Sequence, residues 1–202
     1  KRYTLKPVPA DEIANENFPG YDLALDVEVR NTGTAAKKVA YELSGPTGLP
    51  IEGWWYAHRI SHGWSAAGLR DVVVRFADAK AEQFRATAIH EGDVDPMGQG
   101  ASLASGSDDA QYFAAAIIPE NEPPDEVRYE TTEAVRIGPE FDRKTPKTYT
   151  NVSFNIERRP ATLEPGGAHR DSYQVFVGPK RPQLLKQYFA ADNPHYNLSG
   201  LI

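Results

Sequence analysis

Between Tyr21 and Arg30 the chain reads Tyr-Asp-Leu-Ala-Leu-Asp-Val-Glu-Val-Arg, with an apolar residue at every odd position. Asp22, Asp26, Glu28 and Arg30 stand at even positions. Side chains alternate across a strand, so this spacing buries one face and wets the other. A helical period would scatter the same residues around its axis. The stretch therefore reads as a half-buried β-strand. Asn31-Thr32-Gly33-Thr34 supplies a turn, and Val39, Tyr41 and Leu43 resume the alternation, which predicts an antiparallel hairpin.

Similar signals recur. Residues 71–76 are short and β-branched, whereas residues 84–89 are weaker and fit a helix as well. Residues 112–118, from Tyr112 to Ile118, have no polar face, which predicts a strand covered on both sides. Residues 127–137 and 149–159 alternate, the second with Val152, Phe154 and Ile156 on one face. Leu163-Glu164-Pro165-Gly166-Gly167 is a turn, and residues 170–177 close the series. Many strands separated by Gly/Pro turns point to an all-β sandwich or barrel. Residues 44–50 are a Gly/Pro loop, and residues 91–110, rich in Gly, Ser and Asp, read as a second, long loop. With no repeat and no low-complexity linker, residues 1–202 read as one domain.

Composition removes several function classes. The net charge is -6 with a pI near 5.4, and no basic stripe is present, so neither nucleic acid nor an anionic lipid surface is an expected partner. The absence of cysteine excludes a disulfide scaffold, thiol catalysis and cysteine-based metal sites. The longest apolar run falls far short of the ~20 residues that span a bilayer, so the domain is not expected to cross one. The chain begins at Lys1 inside a strand pattern and has Met97 as its one methionine. It is expected to be a domain cut from a longer protein.

Reactive motifs are incomplete. His58 and His62 have helical zinc spacing, but Arg59 stands where a metalloprotease has its glutamate. Gly63-Trp64-Ser65-Ala66-Ala67-Gly68 places its second glycine one residue late for a nucleophile elbow. Asp93 and Asp95 begin a calcium-loop pattern that lacks its closing glutamate. None of His58, His62, His90 and His169 has a carboxylate partner identifiable from spacing. No catalytic, cofactor-binding or metal-binding residue is therefore assigned, and no cofactor is expected. Trp54, Trp55 and Tyr56 come after the Gly/Pro loop and form either a binding platform for sugars or peptides or a plug at one end of the sandwich.

The end of the chain changes character. A strand runs to Val177, breaks at Gly178-Pro179, and gives way to a segment with Leu184, Leu185, Tyr188 and Phe189 on one helical face. Pro182 suits the first helical turn, and no Ser, Thr, Asp or Asn caps it. So short a helix must be held by packing. It is expected to dock on the sandwich or on a partner.

These segments, in this order, resemble the large periplasmic domain of the YidC-type membrane protein insertases. Gln111-Tyr112-Phe113-Ala114-Ala115-Ala116-Ile117-Ile118-Pro119 resembles that domain's buried central strand, and Val177-Gly178-Pro179-Lys180 with Leu184-Leu185-Lys186-Gln187-Tyr188 resembles its closing strand and helix. Tyr3-Thr4-Leu5, the Tyr21–Asn31 strand and Leu43-Ser44-Gly45-Pro46 fall in the matching order. Residues 193–202 depart from the family, which runs there into an Asp-Tyr/Phe-Gly-Trp segment. The resemblance implies a β-supersandwich like that of galactose mutarotases, with a short C-terminal helix, on the periplasmic side of the bacterial inner membrane. It also implies a non-catalytic accessory role in inserting and folding membrane proteins. The Sec translocon, SecDF-type proteins and substrate membrane proteins would be the partners. The alternatives are a mutarotase-like, carbohydrate-active enzyme and a carbohydrate- or peptide-binding module.

Overall fold

A computed structural model describes residues 1–51, 59, 62, 69–77, 81–98, 101–120, 127–138, 147–189 and 197–201. Twelve described strands form three antiparallel sheets, so the fold is all-β. The largest sheet has seven strands. In spatial order they are β1 (Arg2–Leu5), β2 (Asp22–Arg30), β12 (Ala168–Pro179), β8 (Phe113–Pro119), β7 (Leu103–Asp109), β5 (Asp71–Phe76) and β6 (Glu82–Phe84). A three-stranded sheet joins β4 (Glu42–Ser44), β10 (Asn151–Arg158) and β9 (Tyr129–Ile137), and β3 (Lys37–Val39) pairs with β11 (Ala161–Leu163).

The alternating strands lay the core between the sheets. Leu25 and Val27 of β2, Val72 and Val74 of β5, Ile117 of β8 and Tyr173 of β12 meet Leu43, Ala134, Val152, Phe154 and Ile156 of the smaller sheet. The helix α1 (Ala86–Glu91) adds Ala86 and Ile89 to this core. Its first turn is tied by Asp71, whose Oδ1 accepts from the Ala86 N–H at 2.9 Å.

The opposite face of the large sheet carries a second core. Val73, Ala104, Ala114, Ala116, Ile118 and Phe176 pack under Leu184 and Leu185 of the short helix α2 (Pro182–Leu185), with Tyr188, Leu198 and Leu201. Strand β8 is the fourth of seven and is covered on both faces from Ala114 to Ile118. Tyr112 and Phe113 are the exceptions to the expected buried run: Tyr112 lies before the strand and is 59 % exposed, and Phe113 opens the strand and is also exposed.

Three other sequence expectations are corrected. No hairpin joins residues 21–30 to residues 39–43, because β2 is flanked by β1 and β12 while β3 and β4 pair in the other sheets. Buried Asn31 turns the chain out of the large sheet: its Nδ2 donates to the Ala35 and Leu163 carbonyls at 2.8 Å, and its Oδ1 accepts from the Gly33 N–H. Within the expected 91–110 loop, residues 103–109 are a central strand, β7, buried through Asp108. The C-terminal helix is one turn long and ends at Leu185, so Tyr188 is buried by the turn after it, and half-buried Phe189 instead forms a bridge with Asn197.

Candidate functional site

Strand β12 ends at Pro179, still paired with β8, and four apolar side chains stay exposed around that end. Pro179 is paired with Phe113, which is 44 % exposed, and Val177, on the same face, is 51 % exposed. Tyr112 accepts from the Lys180 N–H through its carbonyl at 2.8 Å. Tyr21, 39 % exposed, lies against Gly178, where a β-carbon would meet the Tyr21 Cβ at 2.8 Å. The patch is rimmed by charge: the Lys180 ammonium is 3.0 Å from the Asp109 carboxylate, and Arg181 is 3.3 Å from Glu16. Apolar residues gathered beside a polar rim mark interaction surfaces more often than scattered ones do.

Immediately behind the patch, α2 is anchored. Leu184, Leu185 and Tyr188 are fully buried. The Tyr188 ring lies 4.6 Å from the Phe176 ring, its hydroxyl accepts from the Tyr21 N–H at 3.0 Å, and burial pushes the phenol well above its usual range. At ~1.5–3 kcal/mol for each buried large side chain, these three offset the weak intrinsic stability of one helical turn. Of the residues expected to form a docking face, these three are brought together on the sheet. Trp54, Trp55 and Tyr56 lie outside the described residues.

A polar cluster sits between the sheets at the other end of β12. Alternation puts His169, Asp171 and Tyr173 on one face of that strand. Asp171 Oδ2 accepts from the Tyr41 hydroxyl at 2.5 Å and from Arg158 Nε at 3.2 Å, while Oδ1 lies 2.9 Å from His169 Nε2. Burial alone would raise the Asp171 carboxyl; the bonds from Tyr41 and His169 and the Arg158 charge hold it below the usual range. Burial raises Tyr173 to about 12, against the hydrogen bonds from Tyr129 and Tyr41. His169 Nε2 also lies 2.9 Å from Arg158 Nη2, so one ring nitrogen faces both a donor and a carboxylate. Both Asp171 oxygens are occupied, and the cluster ties β9, β10 and β12 to Tyr41. It is a structural clamp in which His169, 28 % exposed at its side chain, and half-buried Tyr41 reach solvent. No carboxylate partner for His169 was identified from the sequence, and the structure supplies one in Asp171. The signal was the i, i+2 spacing of His169 and Asp171 on an alternating strand.

Asp108 is a different case. It is fully buried, and among the described residues neither carboxylate oxygen has a hydrogen-bond partner. Burial pushes it up to about 7, against the pull of Arg70 and of the nearby Leu49 amide. Arg70 directs its own donors to the Leu49, Tyr149 and Thr150 carbonyls. The neighbouring Asp109 and Asp71 carboxylates push Asp108 in the same direction as burial.

His58 lies outside the described residues, and His90 Nδ1 lies 2.8 Å from Thr150 Oγ1. Among the described residues no group of three His, Cys, Asp or Glu could hold a metal ion, and no helix is long and apolar enough to cross a membrane. Compared with known proteins, the chain matches no family model and no curated protein.

Proposed function

We propose that this chain is a non-catalytic interaction domain, and that it serves a YidC-type insertase on the periplasmic side of the inner membrane. The observation that carries the interaction reading is the exposure of Phe113 and Val177 on one face of the sheet, with Tyr21 and Tyr112 also exposed near the point where β12 gives way to α2. These side chains belong to neither buried core. The insertase reading is supported by the order of the segments along the chain. It is also supported by the adjacency in the sheet of the two that carry the resemblance, β8 and β12. In this reading α2 fixes the angle between the domain and the membrane-embedded part of the insertase, and the exposed patch contacts the Sec translocon or a SecDF-type protein.

The test is co-purification from solubilised bacterial inner membranes, using the protein expressed from its complete reading frame. Phe113→Ser with Val177→Ser should reduce recovery of Sec translocon subunits several-fold without lowering the melting temperature. Equal recovery by the variant, or no translocon with either protein, overturns the reading.

A second reading has one observation in its favour. The buried Asp171 beside partly exposed His169 is the kind of pair that a carbohydrate-active, mutarotase-like enzyme uses to position a base. It ranks second because Asp171 and His169 Nε2 are already committed to Arg158 and Tyr41. Polarimetry of aldose anomers separates the two: the interaction reading expects the buffer rate, and a faster rate abolished by His169→Ala would establish the enzyme.

A further inference from the structure

The three-stranded sheet ends at β9, whose outer edge faces α1. Thr132 uses that edge: its N–H donates to the Met97 carbonyl and its carbonyl accepts from the Met97 N–H, both at 2.8 Å. Along an antiparallel strand, residues two apart turn their backbone groups to the same side. Ala134 therefore points its N–H and C=O away from β10, as Thr132 does. The partner strand agrees, since Phe154, opposite Ala134, gives its carbonyl to the Gly45 N–H at 2.7 Å on the β4 side. Among the described residues, neither backbone group of Ala134 has a hydrogen-bond partner, although Ala134 is only 3 % exposed. Buried backbone groups are paired in more than about nine cases in ten.

A groove of about 500 Å³ opens at this point, with Ile89, His90, Glu91, Gly92 and Val94 on one wall and Glu133, Ala134, Val135 and Arg136 on the other. We propose that it accepts an extended polypeptide segment, which adds to the edge of β9 at Ala134 and continues the pairing begun by Met97. The occupant is set by the backbone groups: the unpaired N–H and C=O of Ala134, at the edge of the sheet beside α1, ask for a peptide backbone. This inference rests on the groove alone and not on the insertase reading.

The probe is a fluorescent Lys-Thr-Val-Ala-Val-Thr-Lys peptide, titrated against the full chain with amide exchange followed by NMR. Binding should slow exchange of the Ala134 amide at least about tenfold, as expected for a new backbone hydrogen bond. Two N-methylated peptides, modified at alternate residues, keep every side chain. One should bind like the parent and the other at least about tenfold more weakly, because only one edge of the guest pairs. Ala134→Pro should also weaken binding while preserving the fold, since this N–H makes no bond to β10 and proline is tolerated on strand edges. If that variant does not fold, the N-methylated pair still decides. Equal binding by both N-methylated peptides overturns the proposal. So does an Ala134 amide that stays unprotected at millimolar parent peptide.

Discussion

Phe154 lies directly across Gly106: a β-carbon built on that glycine would stand 2.5 Å from Phe154 Cε2. The same ring would meet a β-carbon on Gly45 at 2.6 Å, so a fully buried phenylalanine of the smaller sheet is clasped between two glycines. The relationship explains why the centre of the large sheet is built from Leu103-Ala104-Ser105-Gly106-Ser107-Asp108-Asp109, a sequence of low strand propensity. Gly106→Ala should destabilise the domain by about 1–3 kcal/mol through overpacking. Adding Phe154→Leu should recover part of that loss. Urea unfolding of the single and double variants measures both effects, and additive losses would contradict the contact.

Asp108 should make stability fall as pH rises. Its folded-state carboxyl sits at about 7 against an ordinary 3.8, so the folded protein holds a proton that the unfolded chain has released. The sign is therefore negative: this contribution is fully present below pH 3.8 and is lost as pH climbs to about 7. At ~1.4 kcal/mol per pH unit, the loss is on the order of 4 kcal/mol. Asp108→Asn should be more stable than the parent above pH 7, with the advantage vanishing near pH 4. The difference between the two pH–stability curves isolates Asp108 from Asp171, whose lowered carboxyl acts in the opposite sense. A flat difference curve would contradict the account.

The docking of α2 has its own test. Leu185→Ser with Tyr188→Ser removes two fully buried side chains from the second core. Losses of ~2–5 kcal/mol are usual for each large core truncation. The melting temperature should fall by more than about 5 °C. Unchanged melting would mean that the C-terminal segment does not hold the sheet.

Hydrogen exchange should separate Tyr112 from strand β8. The amides of Ala114 to Ile118, covered on both faces in the middle of the large sheet, should be among the slowest in the domain. Uniformly fast exchange across them would contradict the topology.

Where period and burial coincide, the sequence and the structure agree. The alternation at residues 21–30, the apolar run ending at Pro119 and the Gly178-Pro179 break each reappear as a strand or a strand end. Non-local pairing was not legible. Nothing in residues 31–43 announces that Asn31 carries the chain to the other sheet, because its partner Leu163 is 132 residues away. Strand β7 was hidden because its small polar residues answer to the Phe154 ring, not to a local preference. The exposed patch was hidden for a related reason: Tyr112 and Phe113 continue an apolar run, and only the tertiary fold leaves them uncovered. His169 and Asp171, two apart on an alternating strand, were the readable part of the polar cluster.

The central claim, that the exposed patch around Gly178-Pro179 is a contact surface, is tested most directly by site-specific photo-crosslinking. A photoreactive phenylalanine replaces Phe113 in the protein expressed from its complete reading frame, and exposed Thr162 on β11 serves as the control position. After irradiation of bacterial inner-membrane vesicles, the account predicts a discrete adduct containing a Sec translocon or SecDF-type subunit from position 113 and none from position 162. No adduct from position 113, or the same adducts from both positions, would contradict it.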